Sequence, residues 1–471
     1  MAANQPTRPK KIRRLGRAEW CNWLIDKAAC ANFVVKIDVE AGLDPDRFKK
    51  ELDLAAGRHP ILKARVKAGL WWAHFVDPGT PSDIPVKVVA EAVDWRTVVE
   101  SEMETRFDIR REQPIRVTLL KFDPGHTTLL ATFFHAHTDA KSVSLFLLEV
   151  LGCYGGAQPG PARQMLPPME AGFPPRRRGL LRPFFMLRYV GFLLRLAVRF
   201  GLPKRLPSTR PKKWFRRQCR ITNIMLDTGQ SQQLLSQCRA HDTTVQGALM
   251  AALLAAQRDL LGDKIGKTQV LASIVNARNY LETPRSDHDI GYHAVFAHTF
   301  HLKQEEADFW TNARLCRERI FEQVDRRDLF HMWDMMLPPM VTGPTRLGAK
   351  MLMLATGASA QASNITNIGN LGNGHLAGGL KVTSLEFTVC PSAFMPYVCT
   401  ANAVAGRIFV DLIYHQDGLG SEADELLLNK VRDRLLLAAA QPVQSSSLRS
   451  QRTCLPLPTS LQELLQPLPQ R

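Results

Sequence analysis

The sequence reads Phe134-His135-Ala136-His137-Thr138-Asp139-Ala140-Lys141-Ser142 at the end of the run Thr127 to Phe134, which is apolar from Leu129 onward. The β-branched, aromatic and aliphatic side chains of that run predict a strand that is covered on both faces. His135 ends the strand, and Asp139 can cap a helix whose apolar residues lie within 143–151. This stretch therefore predicts a buried strand, a tight turn that carries a titratable imidazole, and a buried helix.

The protonation state of His135 follows from its place just before a helix. The positive end of the helix dipole disfavours an imidazolium, so the neutral form is expected. A neutral imidazole can accept a proton from an attacking group, which makes His135 the candidate general base. Two alternatives remain: His135 is an ordinary strand-end histidine bonded to the backbone, or His137 is the base. His137 would share the side of His135 only if the strand continued beyond Phe134.

The spacing from His135 to Asp139 resembles the HxxxD core of the HHxxxDG motif of the condensation-domain and chloramphenicol-acetyltransferase-like acyltransferase superfamily. The sequence departs from that motif at two places, because Phe134 replaces the first histidine and Ala140 replaces the glycine. Glycine accepts a positive φ that alanine resists, so Ala140 bears on the shape of the loop. Three downstream positions carry the residue types that condensation domains commonly have there: Ser142, Glu149 and Tyr154.

Other segments resemble the same family in the same order, over roughly residues 12–440. One of them contains Arg278, which resembles the arginine that pairs with the aspartate of the motif. Another is rich in asparagine and glycine and resembles the crossover near the acceptor channel. The segments are 58–65, 107–116, 274–278, 289–291, 363–372 and 407–414.

The resemblance implies an α/β fold of two chloramphenicol-acetyltransferase-like lobes, each a mixed sheet with packed helices, with a tunnel between them. His135 would lie midway along the tunnel, and Asp139 would be structural and paired with Arg278, near Ser142. Four residues of the crossover are expected to form either a tight crossover with a polar lining near the tunnel or a plain turn: Asn367, Gly369, Asn370 and Gly372.

The resemblance also implies the chemistry. A stand-alone enzyme of this kind transfers an acyl group from a thioester to the hydroxyl or amine of a small molecule. The donor, acyl-CoA or an acyl carrier protein, would arrive as a co-substrate, and neither a bound cofactor nor a metal is expected. Two further classes of function stay open: a catalytically inactive condensation-like binding protein, and a peripheral membrane protein that acts through a basic insertion.

The cysteines and the first residues bear on the compartment. The nine cysteines are scattered, and none pairs with another cysteine or a histidine at the spacing of a zinc site. A secretory signal needs an apolar core, and residues 1–11 have none. We therefore expect reduced thiols and a cytoplasmic protein, either free or at the membrane surface.

The formal charge of +17 is concentrated in two segments of the 471-residue chain. Residues 155–220 contain sixteen Lys and Arg and one acid, and residues 1–17 contain six bases and no acid. The rest of the chain is mildly acidic, and no nucleic-acid-binding module accompanies the charge, so no nucleic-acid partner is expected.

Residues 180–200 have the pattern of an amphipathic helix. Arg188, Arg195 and Arg199 fall on one side and leave a wide apolar face. The arginines make a membrane-spanning helix improbable and favour a helix that lies on an anionic membrane surface. Two alternatives are a cationic helix that packs on the protein and a basic strip that attracts an acidic carrier or the phosphates of coenzyme A.

Five segments result from these patterns. Alternating residues predict strands at 33–39, 385–389 and 408–414, and core spacing predicts helices at 244–256 and 423–437. The segments are a basic N-terminal tail (1–17), an N-terminal lobe (18–158), a basic linker with the amphipathic helix (159–218), a C-terminal lobe (219–440) and a flexible tail (441–471).

Overall fold

The computed structural model describes residues 9–28, 30–177, 182–201, 203–204, 219–303, 308–336, 343–359, 363–391, 397–416, 419 and 421–441. Every predicted segment has residues outside these ranges, among them 1–8 of the N-terminal tail, 178–181 and 205–218 of the linker, 337–342 of the C-terminal lobe and 442–471 of the C-terminal tail.

Strands and helices alternate along the described chain. The strands are β1 (Lys10–Arg14), β2 (Asn32–Val39), β3 (Arg65–Ala68), β4 (Ala73–Asp77), β5 (Val86–Val89), β6 (Ile115–Asp123), β7 (His126–Phe134), β8 (Cys219–Leu226), β9 (Thr268–Asn276), β10 (Ala294–Leu302), β11 (Ser363–Asn370), β12 (Val382–Val389), β13 (Tyr397–Val404) and β14 (Arg407–His415). The helices are α1 (Arg17–Asp26), α2 (Pro45–Gly57), α3 (Pro60–Lys63), α4 (Trp95–Glu104), α5 (Ala140–Tyr154), α6 (Arg182–Phe200), α7 (Thr228–Ala240), α8 (Val245–Leu261), α9 (Phe309–Asp325), α10 (His331–Met335), α11 (Arg346–Ser359) and α12 (Ser421–Ala439).

A five-stranded sheet carries the strand that precedes His135. Its order is β12-β2-β7-β6-β5, with β5 and β6 parallel and the other neighbours antiparallel. β7 lies at its centre, and every residue from Thr127 to Phe134 is buried. α5 packs on one face of this sheet and α4 on the other. The predicted strand is thus present, and its buried side chains are aliphatic, aromatic or threonine because neither face meets water.

A six-stranded mixed sheet forms the second lobe, in the order β10-β9-β11-β13-β14-β8. β11 runs parallel to both of its neighbours, whereas the other pairs are antiparallel. α8 packs between α9 and α12 over the apolar core of this lobe. The predicted cap of α8 is present, because Thr244 Oγ1 accepts a hydrogen bond from the Gly247 amide at 3.1 Å.

β12 changes the predicted division into lobes. The segment 219–440 is expected to form the second lobe alone, yet β12 pairs along its length with β2 of the first sheet. Lys36 of β2 lies 2.7 Å from a carboxylate oxygen of Glu386 and 2.6 Å from one of Asp38. The pairing satisfies the backbone groups of the β2 edge, which explains why a distant strand completes this sheet.

The N-terminal segment is only partly a tail. Residues 10–14 form β1, which pairs antiparallel with β4, and Arg17 begins α1. Arg13 makes a salt bridge of 2.7 Å with Glu19, and its guanidinium lies over the ring of Phe75. The expectation of a basic tail through residue 17 is therefore wrong for residues 10–17, because they form β1 and the start of α1 and Arg13 has an acidic and an aromatic partner.

The predicted amphipathic helix is α6. Its Tyr189 stacks on His331 with ring centroids 4.5 Å apart, and Phe200 lies 6.1 Å from Phe300 of β10. One face of α6 is therefore packed on the second lobe. Across the described residues, no helix combines the length and the apolar character that crossing a membrane requires.

Candidate active site

His135 lies in the turn between β7 and α5. Its backbone amide donates to the Ala31 carbonyl at 3.0 Å, which continues the pairing with the chain before β2. Its side-chain Nδ1 lies 2.9 Å from the Thr138 carbonyl oxygen. A carbonyl only accepts, so Nδ1 carries the proton and Nε2 of the neutral ring carries the lone pair. Within the described part of the chain, no side chain or backbone group bonds to Nε2.

Aromatic rings surround the imidazole of His135. Its centroid lies 4.9 Å from that of Phe33 and 5.2 Å from that of Tyr292, and Tyr292 in turn meets the edge of Trp333. Burial lowers the pKa of His135, and the hydrogen bond to Thr138 and the charge of Asp139 only partly oppose that effect. The lowered pKa favours the neutral form of the His135 imidazole at neutral pH.

His137 occupies a different environment. The strand ends at Phe134, so His137 does not share the side of His135, and it is fully buried. Its Nε2 donates to the Ala64 carbonyl at 3.0 Å, and its ring packs against those of Phe75 and Phe134. Burial lowers the pKa of His137 to about 3. These contacts place His137 in the core of the first lobe, where it has a packing role.

Asp139 begins α5 as its N-cap. Its Oδ1 accepts hydrogen bonds from the amide and the hydroxyl of Ser142, both at 2.9 Å. Its Oδ2 faces the other lobe, where it accepts from the His293 amide at 3.0 Å and lies 3.1 Å from Nη2 of Arg278. Asp139 thus caps a helix and pairs with the arginine at the same time, one function for each oxygen.

Arg278 is almost completely buried beside Asp139. Its guanidinium also donates to Asn276 Oδ1, to the Asp289 carbonyl and to the Ser142 hydroxyl. Burial alone raises the pKa of Asp139, but Arg278 and the hydrogen bonds of His293 and Ser142 outweigh it and hold that pKa well below its usual range. The ionised pair fixes the start of α5, and with it the turn that carries His135.

Three residues of this site are absent from the sequence-based prediction: Arg285, Tyr292 and His293. Nη1 of Arg285 donates to Nε2 of His293 at 2.9 Å, and the His293 amide holds Asp139. Burial, together with the charge of Arg278, lowers the pKa of His293. The only sequence signal is their position just around 289–291, a segment that resembles the family.

The two departures from the motif both fit the structure. Ala140 is the first residue of α5, and it is not among the residues with positive φ, so this loop does not require glycine. Phe134 is fully buried and packs on Phe107 and on His137, where a histidine would lose its hydration. Phe134 and Ala140 therefore belong to the packing around the turn.

The asparagine- and glycine-rich segment forms turns at the end of β11. Oδ1 of Asn367 accepts from the Gly369 amide at 2.9 Å, and Oδ1 of Asn370 accepts from the Gly372 amide at 3.1 Å. Both glycines have positive φ, +83° and +112°. These local bonds are typical of Asx turns and explain the residue types without a ligand. A role of these four residues in lining a tunnel stays a prediction.

The two other motif-related residues fasten α5 to α2. Glu149 makes a salt bridge of 2.9 Å with Arg58, and the Tyr154 hydroxyl accepts from the Asp44 amide at 2.9 Å. Arg47 lies over the Tyr154 ring, 4.4 Å from its centroid. These contacts hold the far end of the helix that Asp139 begins.

The arginines of α6 lie apart from this site. Arg188 is 3.5 Å from a carboxylate oxygen of Asp328, Arg195 donates to the Gly191 carbonyl, and the guanidinium of Arg199 lies over Phe200.

A small pocket lies next to Tyr292 and His293, against residues 165–169. Among the residues with described positions, no three His, Cys, Asp or Glu side chains converge as metal ligands.

Comparison with known proteins identifies the class of fold. No protein-family model matches the sequence, and no curated protein matches it. The first condensation domain of the CDA synthetase is similar in structure, with a TM-score of 0.68, 14% identity, and coverage of 92% of this chain and 97% of that one. TRI3 trichothecene 15-O-acetyltransferase from Fusarium sporotrichioides gives a TM-score of 0.66 at 14% identity, over 93% and 99% of the two chains.

A third structure, polyketide synthase associated protein 5 from Mycobacterium tuberculosis, gives a TM-score of 0.64 at 14% identity, over 92% of this chain and 99% of that one. The chain therefore has the two-lobed fold of condensation domains and of the TRI3 acetyltransferase. The motif around His135 predicts this fold, and the comparison confirms it.

Proposed function

We propose that the protein is a stand-alone acyltransferase with His135 as its general base. The observation that carries this proposal is the hydrogen bond from Nδ1 of His135 to the Thr138 carbonyl, which leaves the lone pair on Nε2. The lowered pKa of His135 and the fold shared with an acetyltransferase support it. The donor is a thioester, either acyl-CoA or an acyl carrier protein, and the acceptor is a hydroxyl or amine of a small molecule.

In the proposed reaction, the oxygen or nitrogen of the acceptor attacks the thioester carbonyl carbon. At the same time, Nε2 of His135 takes the proton from that attacking atom. The tetrahedral intermediate then collapses, the carbon–sulfur bond breaks, and the leaving thiolate receives that proton from the imidazolium. No acyl-enzyme forms. Asp139 and Arg278 act as positioning residues, because they hold the turn and do not contact the reacting atoms.

The test is an assay of free thiol release with a panel of acyl-CoA donors and acyl carrier proteins, each with alcohol and amine acceptors. His135→Ala should lower kcat by about 10² to 10⁴. The control is His375→Ala, since His375 is exposed in the turn before β12. A folded His135→Ala protein with undiminished activity would show that another group is the base.

The same assay separates the alternative functions. A condensation-like binding protein would bind a donor, detectable by calorimetry, without accelerating thiol release with any acceptor. A protein that acts only at a membrane surface would do neither. Acceleration that needs both donor and acceptor supports the acyltransferase.

A further inference from the structure

Helix α6 has apolar side chains on two opposite faces. Tyr189 and Phe200 lie on the face that packs on the second lobe. The opposite face carries large apolar side chains that are exposed to solvent, from 43% for Val190 to 89% for Val198. We call this face the α6 stripe; its residues are Phe184, Leu187, Val190, Leu194 and Val198.

The geometry of the α6 stripe is regular. At 3.6 residues per turn its five side chains fall within about a third of the helix circumference, and they extend over about 21 Å of helix. Contiguous apolar surface of this kind is rare on soluble monomers and marks an interaction site. Single exposed leucines elsewhere, such as Leu54 and Leu437, form no comparable row.

The charged residues of α6 and of the chain on either side of it are all basic. Arg188, Arg195 and Arg199 lie along one edge of the stripe, and no acidic residue occurs between Glu170 and Asp227. Fifteen Lys and Arg fall in that interval. Long arginine stems can lie along apolar surface while their guanidinium groups reach phosphates.

We propose that α6 docks the protein on an anionic membrane surface, with the stripe among the acyl chains and Arg195 and Arg199 at the lipid phosphates. An acidic protein partner would account for the charge, but a lipid interface also accepts an apolar row along its whole length. The proposal does not depend on acyl transfer, because it rests on the solvent-exposed side chains of α6.

The first measurement is flotation of the full-length protein with vesicles of phosphatidylcholine, with or without an equal share of phosphatidylglycerol, over a salt series. We expect binding to the anionic vesicles that weakens as salt rises, because screening shortens the reach of the arginine charges. Weaker binding should remain with neutral vesicles. No binding to anionic vesicles at low salt would overturn the proposal.

Two variants separate the apolar and the charged contributions. Leu187→Gln with Leu194→Gln should lower the partition coefficient by about tenfold or more, since apolar burial is removed. Arg195→Gln with Arg199→Gln should lower it by about fivefold for each arginine, mainly at low salt. Arg188 is left unchanged because it pairs with Asp328.

The matched control is Leu54→Gln with Leu437→Gln, which changes two exposed leucines outside α6 and should leave the partition unchanged. Light scattering without vesicles tests a different occupant. A native dimer that the Leu187/Leu194 variant converts to monomer, with no vesicle binding, would make the stripe a subunit interface and refute membrane docking. Equal loss of binding in the control would refute the role of the stripe.

Discussion

The proton on Nδ1 of His135, held by the Thr138 carbonyl, determines which ring nitrogen can accept a proton from a substrate. Because burial lowers the pKa of His135, its imidazole stays neutral down to a lower pH than an ordinary histidine does. We expect kcat/KM to be constant at neutral pH and to fall in acid, with an apparent pKa below about 6.5. Thiol release at constant ionic strength measures this profile. An apparent pKa above about 7 would contradict the assignment.

Asp139 and Arg278 should behave as one unit in a double-mutant cycle. Asp139→Ala or Arg278→Ala leaves a buried charge without its partner, at a cost of about 3 to 5 kcal/mol in the free energy of unfolding. The double variant removes both charges and should cost less than the sum. Urea denaturation of the four proteins gives the coupling free energy.

A matched control is the exposed pair Glu40 and Lys381, whose atoms approach to 2.9 Å. Its coupling should be at most about 1 kcal/mol. The folded pKa of Asp139 lies below its unfolded value, so its stabilisation is present above about pH 4 and is lost as pH falls toward the folded pKa. Additive effects at Asp139 and Arg278 would exclude the coupling.

Among the individual site residues, the sequence identifies those that lie at a fixed spacing within one motif. His135, Asp139 and Ser142 are close along the chain, so local geometry brings them together. Tyr292 and His293 reach the site only through tertiary folding, and a buried aromatic residue or histidine has no pattern that marks it as part of a site. Their positions become evident only when the two lobes are assembled.

Among the elements, α5 offers a direct test of the departure at Ala140. This residue opens the helix with ordinary backbone geometry, and glycine has a greater conformational entropy to lose. Ala140→Gly should therefore lower the free energy of unfolding by at most about 1 kcal/mol. Thiol release should not increase.

The comparison for Ala140→Gly is Ala136→Gly in the preceding turn, which removes a fully buried methyl group. Thermal unfolding of both variants, with activity in parallel, provides the measurement. A more stable or more active Ala140→Gly protein would mean that the loop favours the backbone freedom of glycine.

The periodic elements could be predicted, whereas their partners could not. β7, α5, α8 and α6 appear where hydrophobic period and capping residues place them. The pairing of β12 with β2 joins residues 350 positions apart, as between Lys36 and Glu386. No local pattern encodes such a separation, and the same is true of β1 beside β4.

For the whole molecule, the shared strand predicts cooperative unfolding. β12 comes from the second half of the chain and completes the first sheet, so neither lobe retains all of its contacts when the other unfolds. Tryptophan fluorescence and far-ultraviolet circular dichroism should give coincident urea transitions. Trp23 and Trp310 report on the two halves.

A single substitution in β12 tests this coupling. Phe387 is almost fully buried in the core of the first lobe, and Phe387→Ala should cost about 3 to 5 kcal/mol. Both probes should shift together. The control is Thr383→Ala at a half-buried position of the same strand. Separate transitions in the native protein would show that the lobes unfold independently.

The same strand order affects synthesis on the ribosome. β2 and β7 are made early, but β12 follows β7 only after roughly 250 further residues, which take about 12 to 50 s at ordinary elongation rates. Throughout that interval the free edge of β2 has no neighbour to occupy its backbone groups, and such edges invite pairing with other chains. The nascent chain therefore carries an incomplete sheet through most of its translation, and its yield in a cell depends on what protects that edge until Val382–Val389 emerges.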